Sequence, residues 1–280
     1  MHPDQLPVDR SLVCVTGLPR AGSTLLCQLL AEHPEIECDR MSSPLLGALQ
    51  ALRGHLSDNE FLLSRLDGNF DSTYQRLARS SRAFAAAWWD TDRPIVVDKH
   101  RGWLSQLELA LELDPQARML VCVRELSQVL GSIEAQHRRT VWLDFPDDLA
   151  NLAPYARAEA LFAPAGVVGG PLRAIQGVQD RSPQAQQRLF FVVFEHLMQE
   201  PAAVMAEIFA WLGLSPQAID PQNLTVQPHE ADSYYRFKYR HQTFGAVRSP
   251  PVHQISPRIE AELQDTYRWF YELFYPGLLT

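Results

Sequence analysis

A chain of 280 residues with 46% hydrophobic and 10% aromatic side chains can bury a core of its own, which excludes a disordered protein. With 25 Lys and Arg against 33 Asp and Glu the formal charge is −8, so a polyanion has to be met by a local cluster of bases, and general nucleic-acid binding is not expected. No apolar run reaches the ~18 to 20 residues of a membrane span, Met1 to Arg10 has no signal-peptide pattern, and Cys14, Cys27, Cys38 and Cys122 form no CxxC pair. The expectation is a cytoplasmic protein without structural zinc or a disulfide framework. In chain order, strands are predicted at Leu12 to Thr16, Pro94 to Val97, Met119 to Val123 and Leu189 to Val193, all read as continuous apolar runs buried on both faces. Helices are predicted at Ser23 to Glu32, Leu104 to Leu113 and Leu126 to Gln136, with Pro34 and Pro115 as stops after the first two. Trp88 and Trp89, on a helix before the second strand, are read as core. Phe145 to Ala165 reads as an irregular helical insertion. Pro201 and Gly213 bracket a further helix, and a last amphipathic helix is predicted from Pro257 to Phe274, with Ile259, Leu263, Tyr267, Phe270 and Phe274 on one face.

This alternation predicts an α/β fold, a three-layer sandwich whose central parallel sheet is flanked by helices. There is no internal repeat and no linker long enough for a second domain, so residues 1–280 are expected to form a single domain. Segments around 44–90 and 140–188 are assigned to helical substrate or cap regions.

The first strand runs into Gly17-Leu18-Pro19-Arg20-Ala21-Gly22-Ser23-Thr24, a tight loop with glycine at both ends before a helix that opens on two hydroxyls. Inward N–H groups and a helix N-terminus in that setting hold an anion with several acceptor oxygens. On the nucleotide pattern G-x-x-x-x-G-K-[ST], Gly17, Gly22 and Thr24 fit, but Ser23 stands where the lysine belongs. Losing that ammonium removes a group on which ATP and GTP enzymes rely, and Arg20 is the loop's single base. An ordinary strand-to-helix turn is the alternative reading of the glycines.

The run PRAGSTLL resembles the 5′-phosphosulfate loop of sulfotransferases that use 3′-phosphoadenosine 5′-phosphosulfate (PAPS), bacterial branch included; His33-Pro34 and Met41-Ser42-Ser43-Pro44 are similar to the stretch that follows it. The resemblance implies that Arg20, Ala21, Gly22, Ser23 and Thr24 hold the 5′-phosphate and sulfate. It also implies a second signature, an arginine at a strand end and a serine eight residues on, sharing the 3′-phosphate. Arg124 closes the third strand and Ser132 lies at that interval. An arginine at the carboxyl edge of a parallel sheet projects into the ligand crevice, and a serine two turns into the next helix reaches the same oxygen.

The second strand ends in Asp98-Lys99-His100-Arg101 at that edge. By resemblance Lys99 is the lysine that touches the oxygen bridging phosphate and sulfate, and His100 is the leading general base, although the family's best-known enzymes carry the histidine two residues after the lysine. Asp39 and Glu37 are alternative bases, and Asp98 is assigned a structural role rather than a magnesium site. Glu195 and His196 are read as caps, and Leu189 to Leu214 as packing. In the basic stretch His229 to Arg248, Lys238 and Arg248 are candidate nucleotide contacts, while Tyr234, Tyr235 and Phe237 are candidates for an acceptor channel. The expected reaction is metal-free transfer of a sulfuryl group from PAPS to an acceptor hydroxyl, with 3′,5′-adenosine diphosphate released. A P-loop kinase or hydrolase and a non-catalytic nucleotide-binding relative are the rivals. Neither the acceptor nor the oligomeric state is legible.

Overall fold

β-Branched and apolar residues fill the runs that become the sheet, because side chains that restrict χ1 pack well on a pleated surface covered on both faces. The computed structural model describes residues 10–140, 149, 151–226, 230–231, 240–241 and 243–279, with backbone alone at 139–140, 230–231 and 240–241. Its main sheet holds five strands: β1 (Ser11–Gly17), β2 (Ile36–Ser42), β3 (Ile95–Lys99), β4 (Arg118–Val123) and β5 (Leu189–Val193). All pairings are parallel, in the order β2-β3-β1-β4-β5. The chain leaves β1 toward one edge and later returns to its other side at β4. That puts a crevice at the carboxyl end of β1, where open α/β sheets bind their ligands.

Helices cover the sheet. α1 (Ser23–Leu30) follows β1 directly, and α2 (Leu45–Ser57), α3 (Glu60–Gly68) and α4 (Phe70–Trp89) fill the segment between β2 and β3. Asn59 and Asn69 start α3 and α4 by accepting the N–H groups of Leu62 and Ser72 at 3.1 and 3.3 Å. After β3 a 3₁₀ turn, Trp103–Gln106, leads into α5 (Leu107–Leu113), and β4 leads into α6 (Leu126–Thr140). Then come α7 (Pro154–Phe162), α8 (Gly169–Gln179), the single turn α9 (Pro183–Gln186), α10 (Phe194–Gln199), α11 (Pro201–Leu212), α12 (Pro257–Thr266) and α13 (Arg268–Phe274). A two-stranded ribbon pairs β6 (Glu230–Ala231) with β7 (Arg240–His241). Pro201 opens α11, and Gly213 closes it in the left-handed region at φ 74°.

Four expectations need correction. The sheet has a fifth strand: β2 reads IECDRMS, with Ile36 and Cys38 buried and Asp39 and Ser42 exposed, so it is an edge strand whose half-polar pattern passes for a turn. β5 is the opposite edge, and four of its five residues are half-buried rather than enclosed on both faces. The C-terminal helix is broken at Tyr267, where φ −110° and ψ 34° interrupt α12 and α13. Trp88 is exposed and stacks on Phe84 outside the core, and Trp89 is half-buried; α4 buries the small residues Ala78, Ser81 and Ala85 instead, which lets the helix approach closely. Residues 145–148 and 150 of the predicted insertion lie outside the described residues, as do Tyr234, Tyr235, Phe237 and Lys238.

Candidate functional site

Backbone geometry comes first. Gly17 sits at φ 115°, and a Cβ there would lie 2.2 Å from the Cys122 carbonyl oxygen, so no side chain fits where β1 turns beside β4. The Leu18 N–H then donates to that same carbonyl at 2.8 Å, fixing the exit of the loop from the sheet. Arg20 is held at φ 61°, a costly conformation for an L-residue, and Gly22 at φ 83° precedes α1. Gly22, the N-cap of α1, has no side chain to cap the helix, and the first turn of α1 starts at the crevice with its N–H groups at the positive end of the helix dipole. A Cβ at Gly22 would meet the Phe194 ring at 2.5 Å.

The two signatures meet in space. Arg20 Nε donates to Ser132 Oγ at 3.0 Å, and an Arg124 guanidinium nitrogen donates to the Arg20 carbonyl at 3.0 Å. Arg124 also lies over the face of Phe194, 4.5 Å from its centroid, so one aromatic ring supports the arginine and abuts Gly22. Arg124 is 5% exposed; its Nε is buried without a hydrogen-bond partner, and among the described residues no carboxylate forms an ion pair with it. Burial pushes its pKa below the usual guanidinium range, and Glu195 pulls it back up. An arginine remains charged even so, and a buried cation in that state is costly unless an anion comes to it.

Lys99 ends β3, buried, and its Nζ donates to Thr24 Oγ1 at 3.1 Å, which brings the strand-end lysine to the start of α1. Asp98, one residue earlier and on the opposite face, accepts from Trp103 Nε1 at 2.7 Å inside the core; burial raises its pKa. Its surroundings suit an anchor for the turn after β3. His100 follows in that turn. Its N–H donates to Val15 O at 3.0 Å, and its Nδ1 accepts the Gly102 N–H at 3.1 Å. Burial first, then Arg101, lowers the imidazole pKa, so the ring is neutral near pH 7 with its proton on Nε2.

The alternative carboxylates lie along β2. Glu37 is taken up by Arg93 Nε at 3.4 Å and Thr91 Oγ1 at 3.3 Å, and Asp39 is exposed beside Arg40. Both line a pocket of about 490 Å³ with Cys38, Arg40, Met41 and Arg93. Arg248 is exposed and stacks over Phe244 at 4.7 Å.

Several participants escaped the sequence reading. Phe194 and Glu195 follow β5 in a stretch read as packing and capping, yet Phe194 underlies Arg124, and Glu195 accepts the Tyr275 hydroxyl at 2.7 Å instead of capping α10. Their position just past the carboxyl end of a strand is the signal that would have found them. Gln28 on α1 donates to the carbonyls of Thr225 and Phe244, both at 2.8 Å, and Gln128 on α6 exchanges two hydrogen bonds with the His253 backbone. The helices that open the two clusters thus pin the C-terminal segment, a pairing no local pattern announces.

A glycine loop at the carboxyl end of the central strand of a parallel sheet, with helices on both faces, defines a P-loop-like α/β protein. A family model described as "Sulfotransferase family" matches residues 13–218, so the chain belongs to that family, whose activity is sulfuryl transfer. Among solved structures it is similar to the sulfotransferase domain of the Synechococcus PCC 7002 olefin synthase, at 17% identity over 92% of this chain and 94% of that one, with a TM-score of 0.52. The sulfotransferase domain from the curacin biosynthetic pathway is similar at 16% identity over 91% and 98%, with a TM-score of 0.51. These likenesses speak for the fold. No curated protein matches the chain.

Proposed function

We propose that this sulfotransferase uses PAPS and sulfates an acceptor hydroxyl. The observation that carries the reading is Arg124: a buried residue with an unpartnered Nε, donating to the carbonyl of Arg20, whose own side chain donates to Ser132. A nucleotide phosphorylated at both its 3′ and 5′ positions supplies an anion there and another at the loop, which ATP does not. PAPS, when bound, supplies the sulfuryl group.

In this reading the N–H groups of the first turn of α1, with Arg20, Ala21, Gly22, Ser23 and Thr24, hold the 5′-phosphosulfate, and Arg124 and Ser132 hold the 3′-phosphate. The Lys99 ammonium, already against Thr24, offsets negative charge developing on the leaving phosphate oxygen. His100 removes the acceptor proton. The Gly102 N–H occupies Nδ1, so proton uptake requires that bond to give way; otherwise the Nε2–H acts as a donor to the reacting oxygens. Leu46 of α2 and His100 both lie within 3.1 Å of where a Cβ on Gly102 would sit, so α2 borders the reacting centre. We assign the acceptor side to the helical segment around 44–90 on that basis. Four buried free thiols support a cytoplasmic setting.

Thermal-shift titration tests the reading. A ligand that binds only the folded state stabilises it by RT ln(1 + [L]/Kd), so 3′,5′-adenosine diphosphate raises the melting temperature more than ATP with magnesium does. The reverse ranking returns the chain to the kinases and hydrolases.

A further inference from the structure

Two carboxylates stand near Arg124 without pairing to it. Glu125 is consumed at the start of α6: it accepts from the N–H of Ser127 and of Gln128, each at 2.9 Å, from the Ser127 hydroxyl, and from the Tyr271 hydroxyl at 2.6 Å. Glu195 is different. Its one hydrogen-bond donor among the described residues is the Tyr275 hydroxyl at 2.7 Å, and of the charged groups around Arg124 it is the strongest attractor. Tyr271 and Tyr275 sit one helical turn apart, at α13 and its C-cap, with ring centroids 6.3 Å apart, and Phe270 packs on both. The C-terminal helix therefore presents two fixed phenols to two acids. Burial and the adjoining Glu195 raise the Tyr275 pKa far above the ordinary phenol range, so the hydroxyl stays a donor at neutral pH.

We propose that Tyr275 is a positioning residue that tethers Glu195 away from Arg124 and so keeps the guanidinium open to a 3′-phosphate. The inference rests on Arg124 being the 3′-phosphate ligand. A half-buried carboxylate with no other donor, released beside a buried cation, relieves its own desolvation by pairing with that cation. The internal ion pair then competes with the incoming phosphate for the same face. Glu125, tied by three further bonds, is not released in this way when its tyrosine contact is lost.

The test is calorimetric titration of the full chain with 3′,5′-adenosine diphosphate and with 5′-AMP, which lacks the 3′-phosphate. Tyr275→Phe is expected to weaken the bisphosphate roughly tenfold, as expected for loss of a hydrogen bond to a charged group, while 5′-AMP binding is unchanged. Adding Glu195→Gln to Tyr275→Phe restores the bisphosphate, because the competing charge is gone. Tyr271→Phe leaves the selectivity as in wild type. Glu195→Gln alone, which keeps an acceptor for Tyr275, tightens the bisphosphate selectively and carries the test should Tyr275→Phe not fold. Equal weakening of both nucleotides by Tyr275→Phe, no rescue in the double variant, or weaker bisphosphate binding in Glu195→Gln each overturns the tether. If wild type itself binds the bisphosphate no tighter than 5′-AMP, the assignment of Arg124 fails and the tether with it.

Discussion

The loop of residues 17–24 and the cluster around Arg124, the two anion sites of the proposed reading, are built in two different ways. The loop is local: eight consecutive residues, backbone N–H groups, and two glycines placed where a side chain would strike Cys122 O or Phe194. Its chemistry survives most side-chain changes but not the addition of a Cβ. The Arg124 cluster is assembled from β4, α6, α10 and the C-terminal helix, and it works through side chains whose charges must be balanced. A backbone site thus fails by deformation, whereas a side-chain site fails by mispairing.

Lys99 faces the loop and sits outside that contrast in one respect: the role proposed for it is in rate. Lys99→Ala is expected to lower turnover by ~10² to 10³, the usual loss for a preorganised electrostatic donor. Turnover within about threefold of wild type breaks the assignment. Next in size is Gly17→Ala, which combines a left-handed backbone with a Cβ collision and is expected to cost about 2 to 4 kcal/mol in denaturant unfolding. Gly213→Ala is its control. With φ 74° but open space around the Cβ, it loses about 1 kcal/mol, and equal losses at the two sites would show that collision plays no part.

Ser132→Ala sharpens the comparison on the other side. Removing a hydroxyl assigned to the 3′-phosphate is expected to cost about 1 kcal/mol of affinity for 3′,5′-adenosine diphosphate, with 5′-AMP unaffected. Loss for both nucleotides would mean that the two clusters act as one. The smallest effect is on pH. His100 has a folded pKa below its ordinary value, so as pH falls below about 6.5 the unfolded chain binds a proton before the folded one does, and stability declines until the folded group also titrates. His137 is lowered too and adds to the same window. Melting temperature against pH should therefore fall less steeply in His100→Gln, and an unchanged slope would place the titration elsewhere.

The loop, the Arg124 to Ser132 interval and the Lys99 strand end were legible because each is carried by residues close in the chain, next to strands whose apolar runs stand out. β2 was not, since it is an edge strand that packs against α1 and mixes polar with apolar residues, leaving IECDRMS without a continuous signal. Trp88 misled for a related reason: composition says that tryptophan is buried, while the close approach of α4 to its neighbours reserves the inside for alanine and serine.

Local chemistry is thus what the amino-acid order determined: which turns need glycine, which strand ends carry a base, and that the glycine loop lacks the lysine of nucleotide-binding loops. Tertiary structure alone decided the electrostatic state of those bases. Whether Arg124 is neutralised or open depends on Glu195 and Tyr275, which lie 71 and 151 residues further along the chain, and charges act through space over a few ångströms whatever the distance in sequence.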